Sequence, residues 1–128
     1  MHLLLDTHAL IWWMTGDDSL SRVARAAILD NRNTVVVSAA SAWEMATKVR
    51  LGRLPITSDV MRDFSDYLVQ SQFLDLPITV EQGIRAGSLP GPLRDRFDRM
   101  LIAQAQSESL SIVSNETIFD HYGVNRVW

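Results

Sequence analysis

The chain has 128 residues, no cysteine, and fifteen acidic against twelve basic residues, for a net charge of −3. That length suits one domain over residues 1–128, able to bury roughly two thirds of its unfolded surface without disulfides or a structural metal. The missing cysteine removes thiolate zinc sites, cysteine nucleophiles and redox motifs, and the acidic balance excludes a strongly basic coat for nonspecific nucleic-acid binding.

The first element is the apolar run Leu3-Leu4-Leu5, which reads as a strand buried on both faces. Asp6 follows it directly, and a helix is expected from His8 to Met14. The apolar stretch Ala9 to Met14 is far shorter than the roughly 20 residues that cross a bilayer, and no basic segment precedes it. No membrane segment or signal peptide is therefore expected, and cytoplasm is the expected compartment. A second helix is predicted from Leu20 to Asn31, then a strand Thr34 to Val37 rich in β-branched residues, then a helix Ser41 to Leu51. Further helices are predicted at Ser58 to Ser71, Val80 to Ala86 and Arg96 to Ser109, with a third strong strand at Ser111 to Val113. Phe73 to Leu76 and Val124 to Val127 are weaker strand candidates. Breakers mark the joints, among them Gly16-Asp17-Asp18, Gly52 to Pro55 and Pro90-Gly91-Pro92, and no repeat or long linker divides the chain. Strands alternating with helices of this length imply an α/β fold with a mostly parallel sheet of about five strands covered on both faces.

Four acids occupy corresponding places in this pattern. Asp6 ends the first strand, where open α/β sheets put their ligands. Glu44 lies early in the helix after the second strand. Asp98 opens the helix that runs back to the strand Ser111 to Val113, so antiparallel packing brings it to the same edge. Glu116 follows that strand. Each has an ordinary alternative: Asp6 as an N-cap, Ser41 to Glu44 as a capping box with an i,i+4 pair from Glu44 to Lys48, and Asp95, Asp98 and Glu116 as acids complementing a helix dipole. Asp98 has a further argument, because its helix is apolar nearly all round and a buried carboxylate needs a partner. Gathered carboxylates repel unless a cation neutralises them, and hard Mg²⁺ or Mn²⁺ suits oxygen donors. Zinc is disfavoured, since His2, His8 and His121 lack paired-ligand spacing. Such an ion can promote deprotonation of a water and neutralise charge on a phosphodiester.

The segments Leu4-Leu5-Asp6-Thr7-His8 through Trp12-Trp13, Ser38 through Trp43-Glu44 to Lys48, Gly52-Arg53-Leu54, Asp95-Arg96-Phe97-Asp98-Arg99 through Gln104, and Phe119 to Trp128 together resemble the VapC-type PIN-domain toxins of type II toxin–antitoxin systems. The resemblance covers essentially the whole chain. It implies a three-layer α/β/α PIN-like fold and a metal-dependent endoribonuclease whose catalytic and metal-binding acids match Asp6, Glu44 and Asp98, with Glu116 as a fourth. It further implies an RNA substrate, a VapB-type antitoxin whose C-terminal segment blocks the cleft, and a homodimer. Thr7, Asp95, Ser114 and Asn115 are implied as groups that orient ligands or contact phosphate, and Arg99 as one that pairs with a carboxylate or meets RNA. Two positions depart from the family: Glu116 stands where aspartate is commoner, and Arg96 where proline usually opens the helix. Trp12, Trp13 and Met14 are read mainly as packing of the first helix on the sheet.

Competing functions are a catalytically inactive PIN-like interaction module, a Mg²⁺-dependent phosphatase and a receiver-like phosphoacceptor. A receiver needs a lysine after a late strand, whereas the only lysine, Lys48, falls in a helix. Dinucleotide or nucleoside-triphosphate binding is disfavoured further, because neither G-x-G-x-x-G after the first strand nor G-x-x-x-x-G-K-[ST] occurs.

Overall fold

A computed structural model describes residues 1–128. Strands β1 (His2–Leu5), β2 (Thr34–Ser38), β3 (Leu74–Leu76), β4 (Ser111–Val113) and β5 (Arg126–Val127) form one all-parallel sheet in the order β3-β2-β1-β4-β5. The helices are α1 (Thr7–Thr15), α2 (Arg22–Leu29), α3 (Ala39–Arg50), α4 (Ser58–Arg62), α5 (Phe64–Gln70), α6 (Val80–Ser88) and α7 (Arg96–Glu108), and a 3₁₀ helix spans Thr117–Tyr122.

The pleat divides the core in two. Leu3, Leu5, Val35, Val37 and Val113 face one way and pack with Leu10 of α1, Ile28 of α2 and Leu68 of α5. Leu4 and Ile112 face the other way, onto Leu101, Ile102 and Ala105 of α7 and onto Phe119. Strands buried on both faces carry no polar alternation, which is why the three central ones read as continuous apolar runs. Trp12, Trp13 and Met14 pack partly buried against the first cluster, the first two with ring contacts to Trp128 and Phe73. No helix is long and apolar enough to cross a membrane.

The topology fixes where a ligand fits. From β1 the chain winds outward through β2 to β3, then returns to β4 on the opposite side of β1 and continues to β5. The reversal lies between β1 and β4, and the crevice beyond the carboxyl ends of two such strands is the usual ligand site of open parallel sheets. The Leu5–Val113 register, extended by an Asp6 N–H to Val113 C=O bond of 3.1 Å, puts Asp6 at that crevice beside Ser114.

Two expected elements differ. The stretch Ser58 to Ser71 is two helices joined at Asp63, whose backbone (φ −97°, ψ 13°) leaves the helical region, where short polar residues are at least cost. Helix α3 starts at Ala39 with Ser38 as N-cap, its hydroxyl accepting from the Ala40 N–H at 3.0 Å. The Ser41 to Glu44 capping box is therefore absent, and Glu44 belongs to the second turn.

Candidate functional site

Asp6 caps α1 and stands at the site at once. Its Oδ1 accepts from the Ala9 N–H at 2.7 Å, and the side chain is buried. Burial pushes its carboxyl up, opposed by the Ser114 hydroxyl, the Ala9 N–H and the charge of His8, and reinforced by Glu116. The capping and metal-ligand readings of Asp6 are compatible, because the cap engages one oxygen.

Asp98 lies in the first turn of α7. Its carboxyl is pushed up to about 7, by burial first and then by the charges of Asp95, Glu44, Asp6 and Glu116. Acids that precede α1 and the 3₁₀ helix, together with Glu44 of α3 and Asp95 and Asp98 at the start of α7, thus share one electrostatic neighbourhood. Glu44 is buried and paired with Lys48, its carboxylate accepting from Nζ at 2.7 Å. Glu116 is exposed at the rim, and its N–H donates to the Ser114 Oγ at 2.9 Å.

These side chains share an edge without closing into a cage: no three His, Asp or Glu side chains stand close enough to hold a metal ion between them. The donor set is nonetheless all oxygen, is rich in acids, and includes one whose carboxyl is raised to about 7 by burial and then by its neighbours. Its chemistry fits a hard divalent cation. Lys48 acts as the internal counterion of Glu44. Lys48→Met leaves that carboxylate buried and unpaired, and is expected to cost about 1–3 kcal/mol in EDTA. Urea unfolding checks this, with part of the loss restored by millimolar Mg²⁺.

The remaining expected site residues are mostly architectural. Asp95 caps α7, accepting from the Phe97 and Asp98 N–H groups at 2.9 Å each, so it aims the helix that carries Asp98. The Thr7 hydroxyl donates to Ser41 Oγ at 3.1 Å, locking α1 to α3. Ser114 is buried and shapes the turn to Glu116, while Asn115 is exposed. Arg99 pairs with no carboxylate. Its guanidinium donates instead to the carbonyls of Ala86 (2.9 Å), Leu93 (2.7 Å), Leu89 (2.6 Å) and Gly87 (3.4 Å), gathering the end of α6 and the following loop.

Sequence reasoning did not single out the buried amides of Gln82 and Gln104. The Ser38 hydroxyl donates to Gln104 Oε1, and Gln104 Nε2 donates to Gln82 Oε1 at 3.1 Å and to the Pro77 carbonyl at 3.2 Å. This chain ties the start of α3 to α6 and α7, and hence the helix bearing Glu44 to the helix bearing Asp98. The available signal was a glutamine inside the apolar run Leu101 to Ala105, since a buried amide needs partners.

Residues 3–125 match the PIN domain family. A 31-residue stretch is 58% identical to ribonuclease VapC16 of Mycobacterium tuberculosis, covering 24% of this chain and 22% of that protein's length. Among solved structures, VapBC2 from Rickettsia felis, bound to a DNA fragment from its promoter, superposes with a TM-score of 0.73 at 14% identity over 100% of both chains. Mycobacterium tuberculosis VapC20, a Sarcin-Ricin loop cleaving toxin, does so with a TM-score of 0.71 at 11% identity over 95% of both chains.

Proposed function

The chain belongs to the PIN domain family, and from that premise we propose that residues 1–128 form one domain acting as a metal-dependent endoribonuclease, the toxin of a VapBC-type toxin–antitoxin pair. The observation that carries the reading is Asp98, a carboxyl raised to about 7 by burial and by four surrounding acids at the crevice between β1 and β4. A carboxyl raised that far by burial and by neighbouring acids, at the ligand-binding edge of a parallel sheet, favours a cation among them.

Asp6, Glu44 and Asp98 would hold Mg²⁺, or Mn²⁺ in its place, with the exposed Glu116 contributing from the rim. When bound, the ion supplies positive charge that favours deprotonation of an attacking water and neutralises charge developing on a phosphodiester. The protein's own part is positional. The cap at Asp95 and the bond from Thr7 to Ser41 fix α7 and α1, and the ion pair with Lys48 orients Glu44. Asp98 gives up its proton before it serves as a ligand, so ion uptake strengthens as pH rises through about 7. In this reading RNA is the substrate, a VapB-type protein is the inhibitor and a second copy completes a homodimer. Similarity to VapBC2 supports the inhibitor.

The test is cleavage of a mixed cellular RNA pool by purified protein with Mg²⁺, with Mn²⁺ and with EDTA. Discrete products with either metal and none with EDTA are expected. No cleavage under either metal, by folded protein free of antitoxin, moves the assignment to an inactive PIN-like interaction module.

A further inference from the structure

Next to the acid cluster lies an apolar cavity of about 250 Å³, lined by Ala40, Trp43, Ile78, Phe97 and Met100, with Arg96 along its wall. Its position follows from the chain. Trp43 immediately precedes Glu44 and Phe97 immediately precedes Asp98, so cavity and carboxylates hang on the same turns of α3 and α7. Trp43 is 55% exposed, and its indole meets Phe97 edge-on, with ring centroids 4.9 Å apart at 83°. That geometry leaves an aromatic face open to an incoming ring.

The flanking charge selects the visitor. Arg94 and Arg96 are exposed on either side of Asp95 and form no ion pair, although the protein as a whole is acidic. Arg96 also lies over the Phe97 ring at 5.9 Å, extending the flat surface. An aromatic slot with two free guanidinium groups matches a strand that alternates flat bases with phosphates. At about 250 Å³ the cavity is smaller than the ~300–1,000 Å³ typical of pockets for drug-sized ligands, and it suits a single ring system.

We infer that this cavity is a base-binding subsite, in which one unstacked nucleobase of single-stranded RNA stacks on Trp43 beside the scissile phosphate while Arg94 and Arg96 meet the adjoining phosphates. The inference rests on the nuclease reading and gives it a substrate preference: unpaired RNA over duplex, because only an unstacked base reaches the slot.

The test measures binding separately from cleavage. Fluorescein-labelled oligouridylate and an abasic oligomer of equal length and charge are titrated, in EDTA, with the Asp98→Asn protein and with the same protein carrying Trp43→Ala or Trp43→Phe. Trp43→Ala should weaken oligouridylate binding roughly 10- to 100-fold, with Trp43→Phe retaining most of the affinity and neither change affecting the abasic oligomer. Circular dichroism confirms that the exposed indole was removed without unfolding. Equal affinity of Trp43→Ala and its parent for oligouridylate overturns the subsite, as does a parent that binds neither oligomer or both alike. Overturning by any of these, alongside wild-type metal-dependent cleavage of cellular RNA, leaves the nuclease reading standing. Trp43-dependent binding by a wild-type protein that cuts no RNA upholds the subsite and removes the nuclease.

Discussion

Asp98→Asn should lower metal-dependent RNA cleavage by about a thousand-fold or more, while making the metal-free protein more stable than wild type above pH 7. The first effect follows from removing one charged ligand from an oxygen-donor set. A loss of about 4 kcal/mol in transition-state stabilisation, within what a bound metal ion supplies, corresponds to that factor in rate. The second follows from linkage. Asp98 holds its proton in the fold up to about pH 7, whereas in the unfolded chain it ionises near pH 4. The unfolded state therefore binds fewer protons across that window, and wild-type stability falls as pH rises from about 4 to about 7. Because the side chain is partly exposed, the penalty is discounted to about 1–3 kcal/mol. Asparagine carries no such charge, so the two proteins should match near pH 4 and diverge by that amount at pH 8 in EDTA. Saturating Mg²⁺ at pH 8 should stabilise the wild type and leave Asp98→Asn nearly unchanged. Urea unfolding at both pH values, with and without Mg²⁺, tests each part. Wild-type cleavage by a folded Asp98→Asn protein, or parallel pH profiles of the two, would refute the role given to this residue.

Legibility followed the range of the interactions. The central strands announce themselves because burial on both faces leaves only apolar residues at Leu3 to Leu5, Val35 to Val37 and Ile112 to Val113. The edge strands are short and partly exposed: Leu74 is open to solvent, and β5 is only Arg126–Val127, so their periodicity is weak. The common edge of Asp6, Glu44 and Glu116 was readable because a parallel sheet gives every strand the same direction, so residues after each strand arrive together, and Asp98 joins them because α7 runs antiparallel back to β4. The pair Glu44–Lys48 was readable as a local helical contact. The join at Asp63 and the start of α3 at Ala39 turn on single backbone angles and caps, which periodicity does not encode. Side-chain bonds across long separations were invisible for the opposite reason. Ser38 and Gln104 are 66 residues apart, and Gln104 and Pro77 are 27 apart. Nothing in either segment names the other until the sheet has folded.

Arg99 shows how a set of backbone-carbonyl partners changes an expectation, and its replacement should give the largest loss of stability among the site residues. As a group meeting RNA or a carboxylate, it would be dispensable for the fold. As the donor to four carbonyls, it closes the C-terminal end of α6 onto α7, with its positive charge at the negative end of the α6 dipole. Arg99→Ala leaves those carbonyls without their donor and should cost about 3–4 kcal/mol, taking charged hydrogen bonds at about 1.5–3 kcal/mol each and allowing for non-additivity. Arg99→Lys should recover little, because an ammonium group lacks the planar fork that reaches Ala86, Leu89 and Leu93 together. The consequence for function is indirect. Arg99 sits one residue after Asp98 and anchors the loop that leads into Asp95, so the Mg²⁺ concentration for half-maximal cleavage should rise about 10- to 100-fold at temperatures where the variant is folded. An RNA-contacting arginine predicts the reverse pattern: stability within about 0.5 kcal/mol of wild type, an unchanged Mg²⁺ requirement and a shallower salt dependence of RNA binding. Urea unfolding and a Mg²⁺ titration of cleavage on the same preparation therefore separate a residue that builds the end of α7 carrying Asp98 from one that touches substrate.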